Sequence, residues 1–156
     1  MIQRKQTLYL FIAGLLPLIL LFIPFGDIYS KADIAYKYTA FSVHDITPDK
    51  TFTISTVGNA VLLIASSVLS FITIFLYKNR KTQMKLLSLN MLVILLAICT
   101  IMYIYPNLIF PETLKSAQFK WDPVLLISFV SAIGLYLSKK AIAKDEAMVR
   151  SADRLR

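Results

Sequence analysis

Apolar residues gather into four long stretches separated by short polar segments, and that pattern governs every later inference. A helix rises about 1.5 Å per residue, so crossing roughly 30 Å of hydrocarbon takes about 20 largely apolar residues. Leu8 to Phe25, about Phe52 to Tyr77, and Leu86 to about Tyr105 meet that requirement. The strictly apolar part of the fourth, Pro123 to Leu137, is too short alone. With Trp121 at one interface and Lys139 and Lys140 snorkelling toward the other, the span extends to about Ala143. The expected fold is an all-α membrane protein of four transmembrane helices, one membrane domain over the whole chain.

The first stretch also invites a second reading as a cleaved signal peptide, given Arg4 and Lys5 ahead of it. Its apolar run is longer than a usual signal core, and Ser30 and Ala32 around Lys31 make a poor cleavage site, so a retained anchor is expected.

Between the first two spans, Ile34, Tyr36 and Tyr38 alternate with Ala35, Lys37 and Thr39 in a run rich in aromatic and β-branched residues, which predicts a strand. A second strand is predicted at Thr51 to Ser55, with Thr47, Pro48 and Asp49 as turn residues between them. The expectation is a small outer β-hairpin within loop 26–51, followed by an outer loop 106–120 and a cytoplasmic loop 78–85.

Polar residues within the spans carry the next signal, because hydrocarbon cannot satisfy them and they turn toward other helices. On the second span Ser55, Asn59, Ser66, Ser70, Thr73 and Tyr77 recur at helical spacing, with Leu62 and Leu63 filling the gap, and form one stripe. Asn90, Ala97 and Thr100 answer on the third span, and Ser128, Ser131, Gly134 and Ser138 on the fourth. Asn59, Ser66, Ser70, Thr73, Asn90, Ser128 and Ser131 are the expected interhelical polar contacts. Gly14 and Pro17 predict a kink in the first span. No Asp, Glu, Lys, Arg or His lies between the interfacial ends of the spans, so helix packing is a stronger reading of the stripe than a coupled transport path.

Charge adds orientation. Of the 17 basic residues, twelve fall on one side: Arg4, Lys5, Lys78, Arg80, Lys81, Lys85, Lys139, Lys140, Lys144, Arg150, Arg154 and Arg156. Lys31, Lys37, Lys50, Lys115 and Lys120 fall on the other, among Asp27, Asp33, Asp45, Asp49, Glu112 and Asp122. The positive-inside rule puts both termini in the cytoplasm. Within the basic set, Arg4, Lys5, Lys78, Arg80, Lys81, Lys85, Arg150 and Arg154 are the expected contacts to anionic lipid or to a membrane or cytoplasmic partner. A net charge of +8 would suggest nucleic acid in a soluble chain, but with 57% hydrophobic residues and a mean hydropathy of +0.66 the charges serve membrane orientation, and no nucleic-acid role is expected.

Candidate chemistry is sparse. Cys99 is the single cysteine and His44 the single histidine, so neither a disulfide nor a metal set can be assembled from them, and the four glycines are scattered at 14, 26, 58 and 134 without a phosphate-binding loop. No catalytic residue, metal or cofactor is expected. The tail from Lys139 has no Gly or Pro and reads as a helical continuation of the fourth span: Glu146 with Arg150, and Asp153 with Arg150 and Arg156, stand at pairing distances, while Ile142 with Val149, and Met148 with Ala152 and Leu155, leave a thin apolar stripe.

Three segments carry a resemblance: the start Met1-Ile2-Gln3-Arg4-Lys5-Gln6-Thr7-Leu8-Tyr9-Leu10, the run Tyr77-Lys78-Asn79-Arg80-Lys81-Thr82-Gln83-Met84-Lys85 continuing to Leu89-Asn90, and the tail from Lys144 to Arg156. With them the chain resembles a Bacteroidota four-span family catalogued as a domain of unknown function. The resemblance implies a bacterial inner-membrane protein and brings no catalytic residues. The expected role is a non-enzymatic accessory or scaffold subunit. The alternative is a small transporter or channel using the polar face of the second span, and a membrane-embedded enzyme comes third.

Overall fold

The computed structural model describes residues 5–29, 35–46, 53–77, 79–115 and 117–154. Arg4, Lys78 and the predicted turn residues Thr47, Pro48 and Asp49 lie outside them.

The first helix, α1, spans Lys5–Leu20 and is followed by strands β1 (Gly26–Tyr29), β2 (Ala35–Tyr38), β3 (Ser42–Asp45) and β4 (Thr53–Ser55). Helix α2 covers Val57–Phe75 and α3 Arg80–Cys99, continued by a wider helical segment, Thr100–Ile109. The one-turn helix α4 (Glu112–Lys115), strand β5 (Gln118–Trp121) and a tight turn at Pro123–Leu125 lead into α5, Leu126–Arg154. Helix α1 packs on α2 and α5, and α3 packs on the same two, so the four long helices close a ring.

Three helical segments among the described residues, Val57–Phe75, Arg80–Ile109 and Pro123–Met148, are long and apolar enough to cross a membrane. Helix α1 falls short of that length: its 16 residues span about 24 Å. It ends well before Phe25, the expected limit, because Ile23 precedes Pro24 and is pushed out of the helical region. The last turn tightens instead, with Leu21 N–H donating to Leu18 O and Phe22 N–H to Ile19 O. Conversely, the expected loop 78–85 is largely the first turns of α3. Asn79 caps that helix, its side-chain oxygen accepting from Thr82 N at 3.3 Å.

The expected hairpin is instead part of a five-stranded antiparallel sheet, ordered β4-β3-β2-β1-β5. The two predicted strands, observed as β2 and β4, are not partners, because β3 lies between them. Strand β5 arrives from the other inter-helix connection, pairing Gly26 with Trp121 and Ile28 with Phe119. Alternation puts Ile28, Tyr38 and Val43 on a buried inner face, and sets Asp27 opposite Lys37 on one side and Lys120 on the other across the outer face.

The sheet closes the end of the ring where α1 and α3 finish and α2 and α5 begin. Phe25 N–H donates to Tyr38 O, Asp122 N–H to Phe25 O, and Thr56 N–H to Phe41 O, while the Thr56 hydroxyl donates to Thr39 O at 3.0 Å. At the opposite, basic end, Arg80 donates to the backbone oxygen of Asp145 at 3.1 Å, so the α5 tail is held beside the start of α3.

Burial along the helices differs from that of a water-soluble domain in two ways: polar side chains share the interior with leucine and isoleucine, and the exterior is strongly apolar. Asn59, Ser66, Ser67, Ser70, Thr73, Gln83, Asn90, Ser128, Ser131 and Ser138 are buried, whereas Phe11, Val61, Phe75, Leu92, Leu126 and Ile133 are among many large apolar side chains facing out.

Candidate functional site

Two prolines inside helices organise the polar interior. Pro17 has no N–H to offer the carbonyl four residues back, that of Ala13. The Ser131 hydroxyl of α5 donates to Ala13 O at 2.8 Å and fills that role. Beside it the Ser67 hydroxyl of α2 donates to Gly14 O at 2.7 Å. Gly14, expected with Pro17 to kink the first span, sits where α1 meets α2: a Cβ there would lie 3.0 Å from Ser70 Cβ.

Pro106 does the same further along. It stands inside the wide segment Thr100–Ile109, where amides reach five residues back, as Phe110 N–H does to Tyr105 O. In that register the amide that would reach Ile101 O belongs to residue 106, a proline. The hydroxyl of Tyr38, on β2, donates to Ile101 O at 3.3 Å and itself accepts from the Asn59 side-chain amide at 2.8 Å. Strand β2, α2 and the wide continuation of α3 are thereby joined through one phenol. Burial raises the pKa of that phenol well above the ordinary range, with Tyr105 adding to the rise and the Asn59 bond opposing it, so Tyr38 remains a donor at physiological pH. Its ring is the centre of an aromatic cluster, edge-on to Phe25 at 5.2 Å and to Phe110 at 5.5 Å and tilted against Trp121, with Phe119 stacked between Phe110 and Trp121.

Deeper in the ring, Asn90 of α3 donates from its amide to Ser70 Oγ at 2.8 Å, and Ser70 donates in turn to Ser66 O. Nearer the basic end Gln83 donates to Thr73 O at 3.1 Å, meeting a carbonyl in the last turn of α2 that has few helical donors left. Three buried acceptors on this seam, Asn59 Oδ1, Ser66 Oγ and Asn90 Oδ1, have no hydrogen-bond partner among the described residues.

Of the expected interhelical contacts, Asn59, Ser66, Ser70, Thr73 and Asn90 therefore line one seam, and Ser131 lies on the α1–α5 contact. Ser128 is buried but donates to Leu125 O of its own chain segment, and Ser138 to Gly134 O. Ser55 and Tyr77 do not join the stripe: Ser55 belongs to β4 and Tyr77 is exposed beyond the end of α2. Ser67 and Gln83 were not legible as contacts. Ser67 lies off the stripe because α2 has neighbours on two faces, and Gln83 sits in a basic run that reads as a loop.

Among the expected basic contacts, Lys81 and Lys85 are exposed on the first turns of α3 and Arg80 is half-buried against α5. Lys5 begins α1, and Arg150 and Arg154 fall on the last turns of α5. Lys139, expected only to snorkel, donates to Ser88 Oγ at 2.9 Å. Among the described residues no group of three or more His, Cys, Asp or Glu is placed to hold a metal.

The Pro17–Ser131 relation makes a quantitative expectation. Ser131→Ala should lower stability in detergent by about 0.5–2 kcal/mol, read from thermal unfolding by circular dichroism. The loss should shrink in a Pro17→Ala background, where residue 17 regains the N–H that Ala13 O lacks. Equal losses in both backgrounds would show that the serine does not act through that carbonyl.

Comparison with curated proteins finds no match. The family described as "Domain of unknown function (DUF4293)" matches residues 2–155. Nearly the whole chain lies within that match, and the protein belongs to this family.

Proposed function

We propose that the protein is a four-span component of a bacterial inner membrane, with both termini on the cytoplasmic side and the sheet outside, acting as a non-enzymatic accessory or scaffold subunit. The observation that carries this reading is the exterior of the helix ring: many large leucine, phenylalanine and isoleucine side chains point out, while asparagine, serine and glutamine side chains share the interior with buried leucine and isoleucine. Such a surface is stable against hydrocarbon and unstable against water. Helix α1, though short, packs within the ring and continues to the sheet through Phe22, which is 85% exposed, so it serves as the fourth pass with local thinning or snorkelling at its ends. Most of the polar side chains donate to backbone carbonyls of their own or a neighbouring helix, or to one another, as expected of structural contacts rather than of a site that turns over a substrate.

One observation favours a second reading, a small transporter or channel on the polar face of α2. Asn59 Oδ1, Ser66 Oγ and Asn90 Oδ1 are buried acceptors without partners among the described residues, and a solute or ion path would use such groups.

Two measurements separate the readings. A reporter active only outside the cytoplasm should work when inserted near Asp45 or Ser116 and fail near Thr82 or after Arg156; the reverse pattern would remove the orientation. Purification in mild detergent should then return a stoichiometric partner. A solitary protein that moves solute in liposomes, with movement lost in Asn90→Leu, would replace the scaffold reading by the transporter.

A further inference from the structure

At the basic end, α3 and α5 leave an open groove of about 390 Å³ lined by Lys81, Met84, Lys85, Ser88, Lys139 and Glu146. Its walls are built from regular spacings. Lys81, Lys85 and Ser88 fall on one face of α3, four and three residues apart, with Met84 beside them; Lys139 and Glu146, two turns apart, face them from α5. The three lysines outweigh the single glutamate. Lys139 is not a wandering surface charge, since its ammonium donates to Ser88 Oγ at 2.9 Å and Ser88 is itself anchored to Met84 O at 3.0 Å. Three lysines thus line a groove with a methionine side, and the ammonium of one of them, Lys139, is fixed by Ser88.

Toward the sheet end the groove opens onto apolar surface. Leu92, one turn beyond Ser88, is 66% exposed, and Tyr136, one turn before Lys139, is 55% exposed. A ligand matching both halves carries an anion at one end and hydrocarbon at the other.

We propose that this groove binds the headgroup phosphate of an anionic glycerophospholipid, with Lys81, Lys85 and Lys139 around the phosphate and the acyl chains along Leu92 and Tyr136. The proposal rests on the membrane placement above and adds to it a specific lipid site. Net positive charge in the walls selects an anionic headgroup over a zwitterionic one, and the apolar continuation selects a lipid over free phosphate. Ser88 acts as a positioning residue, holding the Lys139 ammonium at the rim.

The test uses the full chain in neutral detergent, with lipid binding to the folded protein measured by native mass spectrometry. The probes are dioleoylphosphatidylglycerol, dioleoylphosphatidylcholine and inorganic phosphate. One phosphatidylglycerol should bind in preference to phosphatidylcholine, and phosphate at equal concentration should not displace it. Lys81→Gln, Lys85→Gln and Lys139→Gln should each weaken phosphatidylglycerol binding about fivefold. Lys139→Arg should restore most of it. Lys140→Gln removes a neighbouring exposed charge that does not line the groove, and should leave binding within about twofold of the original. Equal binding of both lipids, displacement by phosphate, or losses at Lys140 as large as at Lys139 would each overturn the site. The readout is independent of insertion, so failure of the reporter pattern and failure of the lipid site are told apart.

Discussion

Tyr38→Ala is expected to be the most damaging single substitution in the chain, lowering unfolding free energy in detergent by about 3–5 kcal/mol. The change empties the centre of the cluster formed with Phe25, Phe110 and Trp121, and leaves the Asn59 amide and Ile101 carbonyl without their shared partner. Tyr38→Phe separates the two contributions. It keeps the ring and removes the hydroxyl, and should cost about 1–3 kcal/mol, the usual penalty for leaving buried polar groups unpaired. In a Pro106→Ala background the loss from Tyr38→Phe should be smaller, because residue 106 then has an N–H for the Ile101 carbonyl. Thermal unfolding followed by circular dichroism, together with near-ultraviolet signals from Trp121, measures all three. A Tyr38→Phe variant as damaged as Tyr38→Ala would mean that the ring contributes little; an undamaged one would mean that the phenol does not join sheet and helices.

Gly26→Ala is expected to follow, at about 1–3 kcal/mol. Gly26 pairs with Tyr38 on one side and Trp121 on the other, so it lies between two large aromatic residues on the inner face. A Cβ at this position would sit 2.4 Å from the backbone oxygen of Lys120, and backbone cannot yield as a flexible side chain can. Either β5 must move away from β1 or the strand must shift, and both loosen the sheet from the helix ends. Protease sensitivity at Gln118 to Trp121 should rise along with the fall in melting temperature. A normal melting temperature with unchanged protection would show that β5 tolerates displacement without loss.

Both substitutions fall in the five-stranded sheet, and that region marks the boundary of what primary structure reveals here. The apolar helices Val57–Phe75, Arg80–Ile109 and Pro123–Met148 and the burial of Asn59, Ser66, Ser70, Thr73 and Asn90 were readable because each depends on local periodicity: a helix face repeats every three or four residues, and polar side chains gather on the face that meets other helices. The helical tail was readable for the same reason, since nothing from Lys139 onward interrupts it and α5 runs to Arg154. Strands were harder. Gln118-Phe119-Lys120-Trp121 does alternate polar and aromatic residues, but four residues of alternation are too few to stand out, and nothing local says that Trp121 will lie beside Gly26. That pairing joins segments separated by three helices.

Tertiary structure alone decided how the prolines are answered. Pro17 announces in the sequence that a carbonyl will lose its helical donor; Pro106 does not, because the third span is expected to end at about Tyr105 and only the structure carries the helix on to Ile109. Which hydroxyl meets each carbonyl depends on how α1 crosses α5 and on how the sheet is lowered onto α3, distances set by packing across 118 residues for Ser131 and 63 for Tyr38. The wide turn adds a further step, because it moves the unmatched carbonyl from Met102 to Ile101, a shift of one residue invisible in composition or periodicity. Apolar length, interior polarity and the position of charge belong to the sequence by itself, since each follows from the solvation of single residues and their immediate neighbours. The sheet order, the Tyr38 junction and the lysine groove belong to the assembled chain, because only packing brings residues so distant in sequence within hydrogen-bonding and van der Waals reach.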